Sequence, residues 1–491
     1  MTSLAQRAVS GASATLGWQA IRVALLASSI VVLARILSPA DFGLLAMVTA
    51  VIGIGELLRD FGLSVAALQA NTLSPQEKSN LFWVNTGVGA LLAAAVFAAS
   101  WPIGLLYGDH RLVAITQVLA VTFVVNGFAT QFKAQLNRDL RFVALGAAEA
   151  VPQALALAAA ITIALATQSY WALVAQVVIA AALEALLCVL LARWRPGRYR
   201  RDVSIGRFVR FAGALVGTQA VAYLPKNVDS ILLGAVWGPV ELGLYNRAYQ
   251  LVVLPLNQVT APLSRVAIPV LSKLQDTADV FVAYLRTAQF ATVTVASVTY
   301  GTLIGFGEPL IHLALGPQWT AAVPVLQILA VSGIFRALGQ VPYWMFVTLA
   351  HTGRQLVIYL VGQPLIVAAI ALGTLWGGIG VAIGCAAGYA GFWALNMWWA
   401  GRVTHLPSAS LARSGLAIVA VFAVPVAAAG FTATTALGGS GLALVAGGVP
   451  AAAWVLTALF GIRRYRDEVA RLARLARRRR SSAPPEPVTV P

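Results

Sequence analysis

The sequence predicts an all-α polytopic membrane protein of about fourteen transmembrane helices. They form two six-helix lobes in parallel repeat, followed by two further helices. Three observations predict this. The chain is 59% hydrophobic and only 10% charged, whereas a soluble domain carries about 25% charged residues, so its main solvent is lipid. Apolar runs of about 20 residues, the length that spans a bilayer as a helix, recur along the whole chain. The chain also repeats itself. Leu16-Gly17-Trp18-Gln19-Ala20 is answered by Val216-Gly217-Thr218-Gln219-Ala220, and Ser38-Pro39-Ala40-Asp41-Phe42-Gly43-Leu44 by Gly238-Pro239-Val240-Glu241-Leu242-Gly243-Leu244, both at an offset of 200. Further on, Gln117-Val118-Leu119-Ala120-Val121-Thr122 is echoed by Gln327-Ile328-Leu329-Ala330-Val331-Ser332, at an offset of 210.

Taken in order, the predicted spans lie near 16–36, 42–60, 80–101, 111–131, 143–166 and 170–192, then near 209–236, 242–264, 285–307, 320–347, 355–376 and 378–400. Two more lie near 411–434 and 440–461. Helices are expected because backbone groups in hydrocarbon must bond within their own segment. The boundaries follow: a first lobe at 1–192, a basic cytoplasmic linker at 193–208, a second lobe at 209–400, two extra spans at 401–461, an amphipathic basic helix at 462–480 and a disordered proline-rich tail at 481–491. Six helices separate the copies, and six is even. Both copies therefore enter the membrane in the same direction, related by an axis along the membrane normal, with the site between the lobes.

Charge orients the chain. With both termini in the cytoplasm, 28 of the 34 Lys and Arg face inward, including Lys133, the arginines of 193–210 and nine arginines after 462. The reverse placement violates the positive-inside preference almost everywhere. Arg35 and Arg111 fall near the outer side, where long basic side chains snorkel to the interface. The net charge of +17 is therefore a membrane signature and predicts no nucleic-acid partner. The Arg-rich segment 462–480, with Tyr465, Val469 and Leu472 on one side, is expected to lie on the anionic inner leaflet.

Enzymatic and metal chemistry find no support in the residues. Cys188 and Cys385 sit singly in apolar runs, and the four histidines are scattered, so no metal set or disulfide framework is spaced for use. No Walker A pattern is present. The short polar stretch 1–10 reads as no cleavable leader. No cofactor and no catalytic residue are predicted.

The candidate site residues are the charges that fall inside spans, where they are costly and usually functional. The basic ones are Arg22, Lys226, Arg247 and Arg336, with Asn227 beside Lys226. Arg22 and Lys226 lie in the first span of each copy. A cavity lined by them suits an anionic substrate, and guanidinium grips phosphate with a planar fork. The acidic candidates for coupling or charge pairing are Glu56, Glu184 and Asp229. Lys226 and Asp229 stand three apart, a spacing that equally lets them neutralise each other. Glu56, Arg59 and Asp60 share that spacing and read as a structural cluster. Glu149 is expected near the interface, and Glu184 has no obvious local partner. Gly380, Gly384 and Gly388 read as a packing stripe. Pro225, Pro255, Pro262, Pro342 and Pro364 mark bends inside spans.

Several stretches together resemble the Wzx-type polysaccharide flippases, the lipopolysaccharide and colanic-acid exporter-like branch of the multidrug/oligosaccharidyl-lipid/polysaccharide superfamily. They are residues 33–45, Asp60-Phe61-Gly62, 132–142, Asn227-Val228-Asp229 with Gly234, Leu242 to Tyr249 and 319–329. The resemblance spans roughly 5–400. It implies a V-shaped architecture like that of multidrug exporters in the same superfamily. It implies a flippase in the inner membrane of a bacterium. The cargo is an undecaprenyl-diphosphate-linked oligosaccharide repeat unit, turned from the inner to the outer leaflet by alternating access for exopolysaccharide or lipopolysaccharide biosynthesis. The implied diphosphate contacts are Arg22 and, behind it, Lys226, Arg247 and Arg336; polysaccharide polymerase and glycosyltransferases are the implied partners. Two alternatives stand beside it. A cation-coupled multidrug exporter predicts an acid-rich aromatic cavity, and a membrane polymerase or ligase predicts a large outer loop with carboxylates or histidines.

Overall fold

The computed structural model describes residues 4–59 and 73–481; side chains at 4–14, 16, 54, 57–59, 211–226, 259 and 475–481 are not among those described. The side chain of Lys226, the Arg59 and Asp60 charges beside Glu56, and the tail from 482 thus lie outside the described residues. Everything regular is helical, with no strand among the described residues. An apolar chain in hydrocarbon has no other way to satisfy its backbone short of a closed barrel.

The chain divides into two compact units, Met1–Asn246 and Arg247–Pro491. The first holds α1 (Leu4–Ile36), α2 (Pro39–Arg59), α3 (Pro75–Tyr107), α4 (Arg111–Arg138), α5 (Phe142–Thr167), α6 (Trp171–Ala192) and the start of α7 (Gly206–Lys273). The second continues α7 and adds α8 (Ala278–Gly305), α9 (Gly307–Ala314), a 3-10 turn, α10 (Val323–Leu338), α11 (Gln340–Thr348), α12 (Thr352–Gly373), α13 (Gly377–Thr404), α14 (Ser408–Leu437), α15 (Gly441–Gly461) and α16 (Arg463–Ser481). Among the described residues, ten helices are long and apolar enough to cross a membrane, or up to 11 if Ala278–Gly305 and Gly307–Ala314, bent by 81°, count as one. Tight turns leave two pairs of predicted spans continuous among the described residues: Thr352–Thr404 runs 53 residues and Asn227–Lys273 runs 47.

The turns obey local rules. Ser74 opens α3 with a reciprocal capping box to Glu77, and Gly108 closes it in the left-handed conformation. In α7 the helix breaks at Gly238, with φ 81° and ψ −173°, a conformation that favours glycine. The preceding repeat explains why Gly43 and Gly243 are glycines. A side chain on Gly43 would fall on the Pro239 carbonyl, and one on Gly243 on the Pro39 carbonyl. The two copies of the Pro-x-x-x-Gly turn thus meet each other glycine to proline.

Helix partners also repeat. In the first unit α3 packs on α4, α4 on α6 and α5 on α6; in the second α8 packs on α10, α10 on α13 and α12 on α13. Lipid supplies no hydrophobic drive between helices, so packing rests on close approach of small residues. Gly380 meets the Gly373 carbonyl, Gly384 the Ala369 carbonyl and Gly388 the backbone of Ile366. The stripe expected from their spacing is therefore the α12–α13 seam.

The basic linker is bolted to the head of α3. Gln76 donates to the Arg198 carbonyl at 2.8 Å, Asn80 to those of Arg200 and Val203 at 2.7 and 3.0 Å, and Trp83 to that of Gly197 at 2.9 Å. The amphipathic C-terminal helix α16 starts on the protein itself. Tyr465 is buried and stacks on Phe290 at 5.5 Å, and Thr287 donates to Glu468 at 2.6 Å.

Candidate functional site

A polar cavity lies in each unit. The first, about 460 Å³, is lined by Ser29 of α1, Glu56 of α2, Asn126 and Lys133 of α4, Gln153 of α5, and Gln176 and Glu184 of α6. An ionic chain runs beside it. Arg22 donates to Glu149 at 2.6 Å, and Lys133 bridges Glu149 at 2.7 Å and Glu184 at 2.8 Å. Two cations and two carboxylates alternate, so the chain carries no net charge. Ser29 and Gln176 hydrogen-bond across the same cavity, with Nε2 to Oγ at 2.9 Å.

Three sequence expectations gain detail here. Lys133, counted among the inward-facing charges, lines the first cavity, because α4 runs to Arg138 and turns it into the unit. Glu149, expected near the interface, is the centre of the ionic chain. Glu184 has a partner after all, from a different helix and so out of reach of local spacing.

The second cavity, about 450 Å³, lies within the second unit. The continued α7 contributes Asn257 and Ser264, and the stretch at the α10–α11 junction contributes Arg336, Gln340 and Tyr343. Tyr359 and Gln363 come from α12, and Tyr389, Trp393 and Asn396 from α13. The α13 residues recur at i, i+4 and i+7, one face of a helix. Arg336 sits over the rings of Tyr389 at 5.0 Å and Tyr249 at 5.9 Å, with Nη1 3.4 Å from the Tyr249 hydroxyl. No carboxylate lines this cavity among the described residues.

The two cavities occupy equivalent places in the repeat. At the offset of 210, Asn126 corresponds to Arg336, Lys133 to Tyr343, Glu149 to Tyr359, and Gln153 to Gln363. On α6, Ala180, Ala181 and Glu184 line the first cavity at the spacing with which Phe392, Trp393 and Asn396 of α13 line the second, while Glu56 corresponds to Leu256 at 200. Every carboxylate around the first cavity is thus an uncharged residue around the second.

Of the remaining candidates, Asp229 is buried and accepts from the Tyr245 hydroxyl and the Ser230 amide, both at 2.7 Å. Arg247 is buried and donates to Gln250 at 2.7 Å. Neither lines the two cavities described; Asn227 does not either. The residues that sequence reasoning passed over are Lys133, Gln153, Tyr343, Tyr359, Gln363, Trp393 and Asn396. Carrying the 210 offset through α5 and α12 aligns Gln153 with Gln363 and points to both cavities.

Residues 32–324, more than half of the chain, match the family described as polysaccharide biosynthesis protein. This chain belongs to that family. The lipopolysaccharide biosynthesis protein WzxC of Escherichia coli K12 is 28% identical over 397 residues, 78% of each chain. The teichuronic acid biosynthesis protein TuaB of Bacillus subtilis is 28% identical over 291 residues, 58% of this chain and 59% of its own. The succinoglycan biosynthesis transport protein ExoT of Rhizobium meliloti is 23% identical over 305 residues, 61% of each. Among solved structures, the lipid II flippase MurJ in an inward closed conformation superposes with a TM-score of 0.68 at 13% identity, covering 94% of this chain and 100% of its own. An inward-facing multidrug resistance transporter of the MATE family gives 0.61 at 12% identity, over 79% and 95%. The family member therefore has the fold of these membrane transporters. The α7 wall of its second cavity, with Asn257 and Ser264, lies within the matched stretch, and the lining from Phe335 onward lies beyond it.

Proposed function

We propose that this chain is a flippase. It carries undecaprenyl-diphosphate-linked oligosaccharide repeat units from the inner to the outer leaflet of the bacterial cytoplasmic membrane, for surface polysaccharide biosynthesis. The observation that carries it is the pair of polar cavities, each inside a bundle of apolar helices, in a polysaccharide biosynthesis family member. Sugars and phosphates cannot cross hydrocarbon unaided, and a transporter must offer them polar groups at membrane depth. The names of the relatives, which are lipopolysaccharide, teichuronic acid and succinoglycan biosynthesis proteins, support this cargo class.

The membrane arrangement we favour has fourteen spans, both termini cytoplasmic, and lobes bounded at 1–192 and 209–400. Splitting the two over-long apolar helices at their glycine turns, counting the bent pair Ala278–Gly305 and Gly307–Ala314 as one span and counting Pro39–Gly53 as another support that number. The Arg-rich face of α16 rests on anionic lipid in this arrangement.

Roles divide between the cavities. We place the anion contact at Arg336, whose described partners are tyrosines. Arg22 is already matched by Glu149, so a diphosphate would have to compete for it. Lys226, Asn227 and Arg247 stay as supporting candidates. The Glu149–Lys133–Glu184 chain, with Glu56 beside it, is the coupling element: protonating a carboxylate frees Lys133 and changes the charge of the first cavity. Asp229, held by Tyr245, supports α7. A multidrug exporter of cations fits less well, because Arg336 repels a cationic ligand and no carboxylate offsets it among the described lining residues.

The test is reconstitution. Proteoliposomes containing a fluorescent undecaprenyl-diphosphate oligosaccharide should lose the label's protection from an external quencher at a rate set by active protein. A rate equal to that of protein-free liposomes, or lengthening of the glycan, would reject a flippase.

A further inference from the structure

The two units hold polar cavities of different chemistry. Where the first has Glu149, Lys133, Ala181 and Glu184, the second has Tyr359, Tyr343, Trp393 and Asn396. The second is lined by rings and amides where the first carries charges. We infer that the second-unit cavity is a saccharide subsite: it holds sugar rings of the repeat unit, with Arg336 turned to an anionic group of the cargo. This rests on the flippase proposal and specifies which part of the cargo sits there.

Three features carry it. Rings enter from separate helices: Tyr343 of α11, Tyr359 of α12, and Tyr389 and Trp393 of α13. A pyranose presents faces of C–H bonds with partial positive charge, and the negative π-face of a ring attracts them. The polar groups between the rings are amides: Asn257, Gln340, Gln363 and Asn396. An amide both donates and accepts, which matches a hydroxyl, itself donor and acceptor. A diphosphate only accepts, and it calls for several cations; the described lining has one. A polyisoprenoid tail offers nothing to four amides. The cavity volume of about 450 Å³ falls within the range of about 300–1,000 Å³ usual for small-molecule sites.

Arg336 is oriented by the tyrosine rings and neutralised by no described lining residue. An anion on the cargo can therefore reach it without displacing a carboxylate. That anion is either a sugar carboxylate or the carrier's diphosphate, and binding measurements separate the two.

The experiment is saturation-transfer NMR on the purified full chain in detergent micelles. The probes are a glucuronic-acid-containing disaccharide, its carboxyl-reduced neutral counterpart, and inorganic pyrophosphate. Both disaccharides should receive transfer at ring C–H protons, the acidic one more strongly. Gln363→Ala and Trp393→Ala should weaken both by about tenfold, the scale of one stacking or hydrogen-bond contact, while Trp393→Phe keeps most of the signal. Arg336→Gln should lower the acidic disaccharide to the level of the neutral one. Thermal unfolding of each variant checks its fold, and Gln363→Ala carries the test if Trp393→Ala does not fold. Absence of disaccharide binding by wild type, undiminished binding by folded Trp393→Ala or Gln363→Ala, or complete displacement by pyrophosphate would overturn the subsite. Translocation measured in parallel separates the two ideas. Saccharide binding without translocation removes the flippase alone, and translocation without saccharide binding removes the subsite alone.

Discussion

The two copies of the repeat agree where helices turn and disagree where cavities open. At the turns Pro39 and Gly43 meet Pro239 and Gly243 in mutual backbone contact, and neither copy has room to vary. At the cavities the first copy alternates Arg22, Glu149, Lys133 and Glu184, while the second sets Arg336 among tyrosines and amides. Backbone-to-backbone packing fixes the turn, because even a methyl group there meets a carbonyl. A cavity wall needs only helical faces of suitable rotation, so its chemistry is free to diverge. The two copies thus share their turns and differ in their cavities.

Four perturbations should break or sharpen that contrast. The largest stability loss is expected at the turns. Gly43→Ala and Gly243→Ala should each cost about 3 kcal/mol, at the upper end for overpacking because backbone must move. The two losses should be nearly equal, measured by thermal unfolding in micelles; a marked inequality would deny the symmetric contact.

Next comes Lys133→Ala. It leaves Glu184 without its cation and should cost about 2 kcal/mol, below the figure for a fully buried pair because these side chains are partly exposed. The equivalent Tyr343→Ala removes ring contact but strands no charge. Adding Glu184→Gln to Lys133→Ala should restore most of the loss, and an additive double variant would show that the chain is not coupled.

Arg336→Gln should change stability by only about 1 kcal/mol, the value of a cation–π contact. It should nonetheless suppress surface polymer in a complemented deletion strain. Normal polymer at equal expression would remove Arg336 from the cargo path.

The smallest effect belongs to an exposed pair. Arg111 hydrogen-bonds both carboxylate oxygens of Asp109 and holds its carboxyl below the usual range. A lowered folded pKa means the contribution is full above about pH 4, the unfolded value, and is lost as pH falls through the folded pKa. Asp109→Asn should therefore lower stability by under about 1 kcal/mol at neutral pH and not at all in strong acid.

Much of the fold was legible. Apolar runs located the helices and the 200-residue echo located the duplication, because lipid makes span length and hydropathy direct physical requirements. The number of continuous apolar helices was not legible, since Gly238 and Gly377 turn the chain without ending it in coil. The site was legible only in part. Arg22, Glu184 and Arg336 stood out as charges in apolar runs, but Lys133 did not. It lies five residues from the end of α4, and distance to a helix end says nothing of rotation about the axis. Tyr359 and Trp393 also passed unremarked, because single aromatics in spans look like interfacial anchors. What distinguishes them is convergence from different helices, a property no local window contains.

The central claim is that this chain moves glycan-bearing lipid and uses the second-unit cavity to do so. The direct measurement compares wild type and Arg336→Gln in proteoliposomes, recording the initial rate of translocation of a fluorescent lipid-linked repeat unit. The expected result is rapid translocation by wild type and a rate at least about tenfold lower for the variant, a loss of about 1.4 kcal/mol of cargo stabilisation. Equal rates for the two proteins, with both folded and equally inserted, would contradict it.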